Sequence, residues 1–442
     1  MKIQLSDHFS FSRLFRFTIP SILMMIFNSI YSIVDGLFTS NFAGKVPFAA
    51  INLIMPLIML FSGFGFMIGS GGSALISKFL GEQKEEKANS TFSFLIYFSI
   101  ISGLVLSVIF YMVTPFVARK LGAEGEVFTN AVLYARILSP GIVAFMLQSI
   151  FQLFMIAAEK PQIGLKVTLA AGFTNIILDA VFVGGFKWGI VGAAIATDIA
   201  YIVGGIVPLV YFIVVRSGKL KLGRAVFDGK SLLKTITNGS SELMTNISSS
   251  IVGMLYNVQL LKYAGVDGVA AYGVIMYVGF IFAAIFIGYA TGTAPIISYN
   301  YGAQNKKELS NLYNKSLLII AVSSVCMLCA SELFAGTFAA IFTSYDEQLF
   351  AFTKKAFRIY SVGFLICGVN IFGSSFFTAL NNGVVSAVLA FFRTLVCQVI
   401  CILLFPVIIG ADGIWMASPC SELLTAIVTF ICFLMFRKRY GY

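Results

Sequence analysis

The amino-acid sequence predicts an all-α integral membrane protein with twelve transmembrane helices in two parallel-repeat six-helix lobes. Of its 442 residues, 59% are hydrophobic and only 11% are charged, whereas a soluble domain carries about 25% charged residues. A chain of this composition cannot cover itself with a hydrated surface, so much of its surface must face lipid. This excludes a soluble enzyme, a nucleic-acid-binding protein and a secreted disulfide-rich domain.

Twelve apolar runs of helical length follow one another, and a helix of about 20 residues crosses the bilayer core. The first six lie near residues 14–40, 47–79, 91–117, 128–157, 161–184 and 189–215. The other six lie near residues 235–262, 267–298, 311–342, 350–380, 384–409 and 413–436. We therefore expect an N-terminal lobe over residues 1–215, a cytoplasmic linker over 216–234 and a C-terminal lobe over 235–442.

The positive charges follow the pattern of a multi-pass protein of the cell membrane. The formal net charge is +11, and Lys and Arg gather in loops on one side of the predicted helices, most densely between Arg216 and Lys234. Cytoplasmic loops carry such an excess beside anionic lipid headgroups. We therefore expect both termini in the cytoplasm, with the lipid bilayer and not nucleic acid as the partner of the basic surface.

The two halves of the chain carry the same residues at a nearly constant offset. Five residues recur 221 positions later: Gly71, Ile76, Ser77, Gly81 and Gln83 correspond to Gly292, Ile297, Ser298, Gly302 and Gln304. Further matches follow at offsets of 222 and 224, among them Arg136 with Arg358. Because six is an even number of helices, both copies enter the membrane in the same direction, as in transporters with a substrate cavity between their repeats.

A group of polar side chains is predicted within the N-terminal lobe, where an ionisable residue is costly unless it faces a cavity or a partner. Asn28, Tyr31 and Asp35 share one face of the first helix, and Asn175 precedes Asp179 by four positions in the fifth. Such an oxygen-rich set could hold Na⁺, or a proton shared between paired acids. The alternative is that the two carboxylates only end their helices near the outer headgroups.

Further polar side chains within the spans are candidates for a substrate cavity. They are Gln148 and Gln152 in the fourth span, Thr197 and Asp198 in the sixth, and Glu242 and Asn246 in the seventh. Hydrogen bonding between helices is an equal alternative for the two glutamines. A structural role stays open for Asp198, and a position near the inner interface stays open for Glu242.

Pro20 lies inside the first span, where a proline removes a backbone hydrogen bond and bends or loosens the helix. A hinge at this position could move Asp35 when the charge of its carboxyl group changes. The alternative is a static kink.

No catalytic centre or cofactor site is predicted, and we do not expect an enzyme. A membrane enzyme would need clustered His, Cys or carboxylate ligands, or a nucleophile with a base. The single histidine, His8, lies in the polar N-terminal segment, and all seven cysteines lie in apolar stretches of the second half. We interpret the CxxC spacing of Cys326 and Cys329 as helix packing.

Three stretches, in a fixed order, give the sequence a resemblance to a known family. VDGLFTSNFAG ends the first span, GGSALISKFLGEQ ends the second with its partner GTAPIISYNYGAQ in the eighth, and NIILD precedes GIVGAAIATD. Together they resemble multidrug and toxic compound extrusion (MATE) transporters over nearly the whole chain. The resemblance implies two six-helix lobes that open alternately inward and outward, and export of amphipathic organic cations coupled to Na⁺ or H⁺.

The resemblance also implies an ion site in the N-terminal lobe, and it leaves Na⁺ and H⁺ as alternatives. The family's site residues correspond to Asp35, Asn175, Asp179 and Thr197, and its bending proline corresponds to Pro20. Other family members place acids in the seventh and tenth helices. Glu242 could serve in the seventh, but the tenth span contains no buried acid, which argues against an ion site in the C-terminal lobe.

The expected function is export of organic cations or drugs from the cytoplasm by a monomeric, cation-coupled antiporter. Ion uptake at the two aspartates would neutralise the site, release a cationic cargo and allow the lobes to reorient. The alternative is a flippase for lipid-linked oligosaccharides, which has a related architecture. Such a flippase needs basic residues that bind a diphosphate, and only Arg136, Arg358 and Arg393 are candidates.

Overall fold

The computed structural model describes residues 3–215, 218–344 and 346–442, and all regular structure in them is helical. The first six helices are α1 Phe11–Ala43, α2 Lys45–Gly81, α3 Glu85–Lys120, α4 Gly125–Leu138 with Gly141–Ala157, α5 Pro161–Gly185 and α6 Gly189–Val214. The others are α7 at 229–264, α8 at 266–302, α9 Lys306–Thr343, α10 Glu347–Ser361 with Phe364–Ala379, α11 Gly383–Ile409 and α12 Ala411–Tyr440.

The prediction of an all-α protein with twelve membrane-length helices is confirmed for the described residues. Helices α7 and α8 are continuous in hydrogen bonding over 74 residues but are separated at Gly265, whose φ of 64° is not helical. A straight helix of that length would measure about 110 Å, several times the thickness of a bilayer core. Helices α4 and α10 are each bent, by 62° and 45°.

The segment between the lobes is tied to the N-terminal lobe. The backbone amides of Lys221 and Gly223 donate to the side chains of Asn89 and Ser93 in α3. The helix that follows begins at Gly229, so residues 229–234 of the predicted linker are helical. Residues 216–217, at its start, lie outside the described residues.

Asp228 caps the first turn of α7. Its carboxylate accepts hydrogen bonds from the Ser231 hydroxyl at 2.7 Å and from the backbone amides of Ser231 and Lys230 at 3.1 and 3.0 Å. These hydrogen bonds hold the pKa of the Asp228 carboxyl below its usual value, and the bond from the Ser231 side chain contributes most. A charged cap at a helix N-terminus also interacts favourably with the helix dipole.

The internal repeat is visible in the backbone of the connections. Gln83 after α2 and Gln304 after α8 have φ values of 60° and 56°. Glu159 after α4 and Asn381 after α10 have φ values of 61° and 57°. Non-glycine residues rarely adopt this left-handed conformation, so its recurrence at offsets of 221 and 222 indicates that equivalent helices end in the same way.

The two lobes meet at the end of the bundle that carries the N-terminal segment, the interlobe segment, the C-terminus and most of the Lys and Arg residues. We call this end the basic end. There α2 lies so close to α7 and α8 that glycine is required. A Cβ atom would lie 1.8–2.2 Å from a backbone carbonyl oxygen of the facing helix at four positions: Gly71, Gly81, Gly239 and Gly302.

The N-terminal segment adds a second connection between the lobes at the basic end. The backbone amide of Leu5 donates to Glu159 of the N-terminal lobe at 2.8 Å. The amide of Phe9 donates to Glu308 of the C-terminal lobe at 2.9 Å, and His8 contacts the same carboxylate at 2.6 Å. Because the side chains of Leu5 and Phe9 are fully buried, this segment is part of the packed interface.

Replacing Gly239 with alanine is expected to weaken the contact between the lobes. The new Cβ atom would lie 1.8 Å from the Met67 carbonyl oxygen, and overpacking of this kind costs about 1–3 kcal/mol. We expect a lower melting temperature of the detergent-purified protein. Gly253 lies in the same helix, and a methyl group there would meet open space out to 4 Å, so Gly253→Ala is the matched control. Equal melting temperatures of both variants would contradict this description of the interface.

Candidate functional site

The structure brings the carboxyl groups of Asp35 and Asp179 together between α1 and α5. These helices pack against each other, and the two carboxyl groups are direct interaction partners. Both oxygens of Asp179 and Oδ1 of Asp35 are buried without a hydrogen-bond partner among the described residues. Two ionised carboxylates can only accept hydrogen bonds, and two like charges at this distance disfavour ionisation of both groups.

Asn175 adds a third polar side chain to this pair. It lies one helical turn before Asp179, its side chain is 1% exposed, and its amide oxygen and nitrogen are both without a partner in the described residues. Carboxylate and amide oxygens are the ligand type that hard cations prefer. The buried unpaired oxygens of the three residues therefore fit Na⁺ as well as a shared proton.

Each aspartate precedes a short π-helical segment that the sequence did not reveal. Asp35 is followed by Thr39–Ala43 and Asp179 by Ala180–Gly185, and these two segments contact each other. A π-helical turn widens the helix and changes its hydrogen-bond pattern, and such turns are frequent at functional sites. They give α1 and α5 an irregular backbone at the end of the bundle opposite the basic end.

Tyrosine side chains surround the pair, and two of them were missed in the sequence. Tyr134 of α4 lies within electrostatic range of both aspartates. The Thr197 hydroxyl, predicted for the site, donates to the backbone carbonyl of Ala193 at 2.9 Å. Tyr31, predicted for the site, is an electrostatic neighbour of Asp35, and Tyr201 is a neighbour of Tyr31. The spacing of Tyr201 four residues after Thr197 was a usable signal, whereas nothing in the sequence distinguishes Tyr134 from a packing residue.

Asp198 lies apart from the carboxylate pair, at the bend of α4. A Cβ atom on Gly141 would lie 1.9 Å from its Oδ1 atom, so the carboxylate rests against the first residue of the second α4 segment. Negative charge at a helix N-terminus is favourable. Its Oδ1 atom is nevertheless buried without a hydrogen-bond partner among the described residues.

The two glutamines lie between helices. Gln152 accepts a hydrogen bond from Asn28 of α1 at 3.5 Å, and the side chain of Gln148 covers Gly204 of α6. Both line a cavity of about 10 Å³, which is the size that one water molecule needs. Gln152 is thus hydrogen-bonded between helices, whereas the amide oxygen of Gln148 is buried without a hydrogen-bond partner among the described residues.

The C-terminal lobe contains a second group of ionisable residues. Glu242 of α7 lines a cavity of about 90 Å³ together with Arg393 of α11, and Asn246 donates to the backbone carbonyl of Glu242 at 2.9 Å. Arg393 forms an ion pair with Glu422 of α12, with Nε–oxygen distances of 3.0 and 3.1 Å. An arginine inside a span requires such a partner, and nothing in the sequence singled out Glu422 for this role.

An adjoining cavity of about 260 Å³ extends from this ion pair toward aromatic residues. Its walls include Tyr256, Tyr272, Phe280 and Phe364, and the two cavities share Arg393. Aromatic and charged groups thus lie side by side in the C-terminal lobe. Cavities of this kind suit ligands that have both an apolar ring and a charge.

The family model MatE matches residues 20–181 and again residues 243–404, once in each half of the chain. The chain belongs to the MatE family. This MATE protein is 27% identical to the multidrug export protein MepA of Staphylococcus saprophyticus over 81% of each chain. It is 24% identical to MepA of Staphylococcus aureus over 97% of this chain and 94% of that protein.

Solved MATE structures have the same fold. A MATE protein in the straight conformation superimposes with a TM-score of 0.92 at 23% identity, covering 97% of this chain and 96% of that one. An outward-facing multidrug resistance MATE transporter gives 0.91 at 24% identity with the same coverage. The chain is therefore a MATE-family membrane transporter and not an enzyme, as predicted.

Replacing Asp179 with asparagine is expected to stabilise the folded MATE protein in alkaline buffer. The change removes one of two facing charges and provides an amide donor for Asp35, and an unpaired buried polar group costs about 1–3 kcal/mol. We expect a higher melting temperature, measured by thermal unfolding in detergent. The exposed Asp267 supplies the control, since Asp267→Asn should leave the melting temperature unchanged. A clear fall for Asp179→Asn would mean that the pair is not repulsive.

Proposed function

We propose that this MATE transporter exports amphipathic organic cations from the cytoplasm in exchange for H⁺ or Na⁺. The observation that carries the proposal is the pair of buried carboxylates at Asp35 and Asp179, neither of which has a full set of partners. An arrangement of this kind is stable only if it regularly holds a cation or a proton. Ion exchange is therefore a better explanation than a purely structural role.

The positions of the charges and contacts support an outward-facing conformation. Cytoplasmic surfaces of membrane proteins are rich in Lys and Arg, so we assign the basic end and both termini to the cytoplasm, in the cell membrane. The lobes are packed together at that end. A structural relative with a TM-score of 0.91 is described as outward-facing, in agreement with this assignment.

Helix α1 connects the ion site to the closed end. It carries Asp35 next to α5, and about 21 Å away along the helix the backbone of Ser21 and Ile22 touches Gly288 of α8. Pro20 is buried inside α1 beside this contact, where its missing backbone donor weakens the helix. Neutralising Asp35 would shift α1, and the shift would open the contact with α8.

The C-terminal cavities and the relatives support the proposed cargo class. Glu242 lines a cavity that shares Thr245 and Arg393 with the aromatic-walled cavity, and this arrangement suits a positively charged group attached to a ring. The Staphylococcus relatives are multidrug export proteins. Ion binding at the N-terminal site would act on this cavity through the shift of α1, and a monomer suffices for this cycle.

The contacts of the arginines argue against a flippase for lipid-linked oligosaccharides. A diphosphate would need free basic groups, but the three candidates are engaged. Arg136 stacks on Tyr111 at 5.1 Å, Arg358 pairs with Glu332 at 3.4 Å and Arg393 pairs with Glu422 at 2.9 Å. We therefore favour cationic cargo.

Replacing Asp35 with asparagine should abolish ion-coupled export and leave the protein folded. Asparagine keeps the size of the side chain but cannot take up a proton or supply a full negative charge. Efflux of ethidium from cells is expected to fall to the level of cells without the transporter. Asp267→Asn, at an exposed acid, is the control and should keep normal efflux. Normal efflux by a well-expressed Asp35→Asn protein would refute the proposed site.

The coupling ion can be identified with purified protein in vesicles. Efflux of a fluorescent cation is measured under a pH gradient alone and under a Na⁺ gradient alone. Dependence on one gradient, lost in Asp179→Asn, is the expected result. Equal efflux with no gradient would contradict coupling and favour passive transport.

A further inference from the structure

The ion pair in the C-terminal lobe is fully formed inside the bundle. Arg393 holds Glu422 through Nε at 3.0 and 3.1 Å and through Nη2 at 2.9 Å. Asn370 of α10 donates to the same carboxylate at 2.7 Å, and Thr429 donates to the Asn370 oxygen at 3.0 Å. Glu422 is only 5% exposed. Its charge is therefore offset within the protein, and its oxygens are not free for cargo.

Glu242 differs from Glu422, although the two cavities that they line adjoin and share Thr245 and Arg393. We call these two cavities the cavity system. Arg393 lines the same cavity as Glu242, but the described residues contain no ion pair at 4.0 Å or less that involves Glu242. With all three groups ionised, two carboxylates and one guanidinium give a net charge of −1. The cavity system therefore offers one uncompensated negative charge, next to an aromatic wall.

We propose that Arg393 is a specificity-determining residue that limits the cargo of the C-terminal cavity to compounds with a single positive charge. The inference rests on the proposed export of organic cations and specifies which cations the cavity accepts. A monocation balances the free carboxylate of Glu242. A dication brings a second positive charge close to the Arg393 guanidinium, and like charges repel.

The proposal predicts opposite effects of the two partners of the ion pair. Arg393→Gln leaves two free carboxylates in the cavity, with a net charge of −2. Glu422→Gln leaves the guanidinium to offset Glu242, with a net charge of zero. The double variant Arg393→Gln/Glu422→Gln returns the cavity to −1. A residue that acts only in packing would not make selectivity follow this order of charge.

The test uses two matched probes, benzyltrimethylammonium with one charge and p-xylylenebis(trimethylammonium) with two. Their affinities for the full-length purified protein are measured by competition in buffer alkaline enough to ionise Glu242. We expect Arg393→Gln to raise the relative affinity for the dication by on the order of tenfold, because it removes a like charge within several ångströms. Glu422→Gln should weaken the binding of both probes, and the double variant should restore the native ratio of the two affinities.

Breaking a buried ion pair is destabilising, so Arg393→Gln or Glu422→Gln could prevent folding. A second variant that keeps the ion pair allows the proposal to be tested in that case. Thr245 lines both cavities, and Thr245→Asp adds a carboxylate while the ion pair remains intact. It should also shift preference toward the dication. An unchanged ratio in both Thr245→Asp and the folded Arg393 variants would overturn the proposal.

Failure of the inference is distinguishable from failure of the proposed function. The native protein in vesicles is tested for efflux of the monovalent probe. If the native protein exports this probe but the variants keep the native ratio of affinities for the two probes, cation export is supported and the proposed role of Arg393 is refuted. Absence of both efflux and binding by the native protein would overturn the proposed function and, with it, this inference.

Discussion

The structure depends on the balance between buried charge and a lipid environment that cannot solvate it. Asp35 and Asp179 face each other without donors, and each ionised carboxylate destabilises the other. The twelve-helix scaffold supplies enough packing to tolerate this arrangement, and the irregular π-helical turns next to both residues keep their backbone adaptable. Two facing carboxylates therefore favour a protonated or cation-bound pair over two free charges.

The strain at the carboxylate pair can affect the rest of the molecule because α1 belongs to two interfaces. Near its far end α1 packs on α5, and near its beginning it touches Gly288 of α8, where a side chain would collide with the backbone. Because α1 and α8 touch directly at this glycine, a small displacement of α1 either keeps the contact or breaks it. Intermediate positions of α1 are therefore disfavoured. An ion-dependent shift of α1 would therefore favour two discrete arrangements of the lobes over a continuous range.

The sequence predicted the fold more completely than the site, for physical reasons. Apolar runs and the repeat offset depend on composition along the chain, and the twelve helices followed from them. The spacing of Asn175 and Asp179 placed them on one face, because helical periodicity is local. Tyr134 and the partner of Arg393 were missed since they depend on which helices become neighbours. The start of α7 at Gly229 was missed because a polar first turn resembles a linker.

The repeat has produced two lobes with different electrostatics. Asp198 and Glu422 occupy corresponding positions at an offset of 224, yet Asp198 rests against the start of a helix segment while Glu422 is neutralised by Arg393. Only the N-terminal lobe holds facing carboxylates without donors, among the described residues. The C-terminal lobe instead joins an internal ion pair to aromatic walls. The duplicated scaffold thus carries different charged groups in its two lobes, and α1 and α2 both contact the C-terminal lobe.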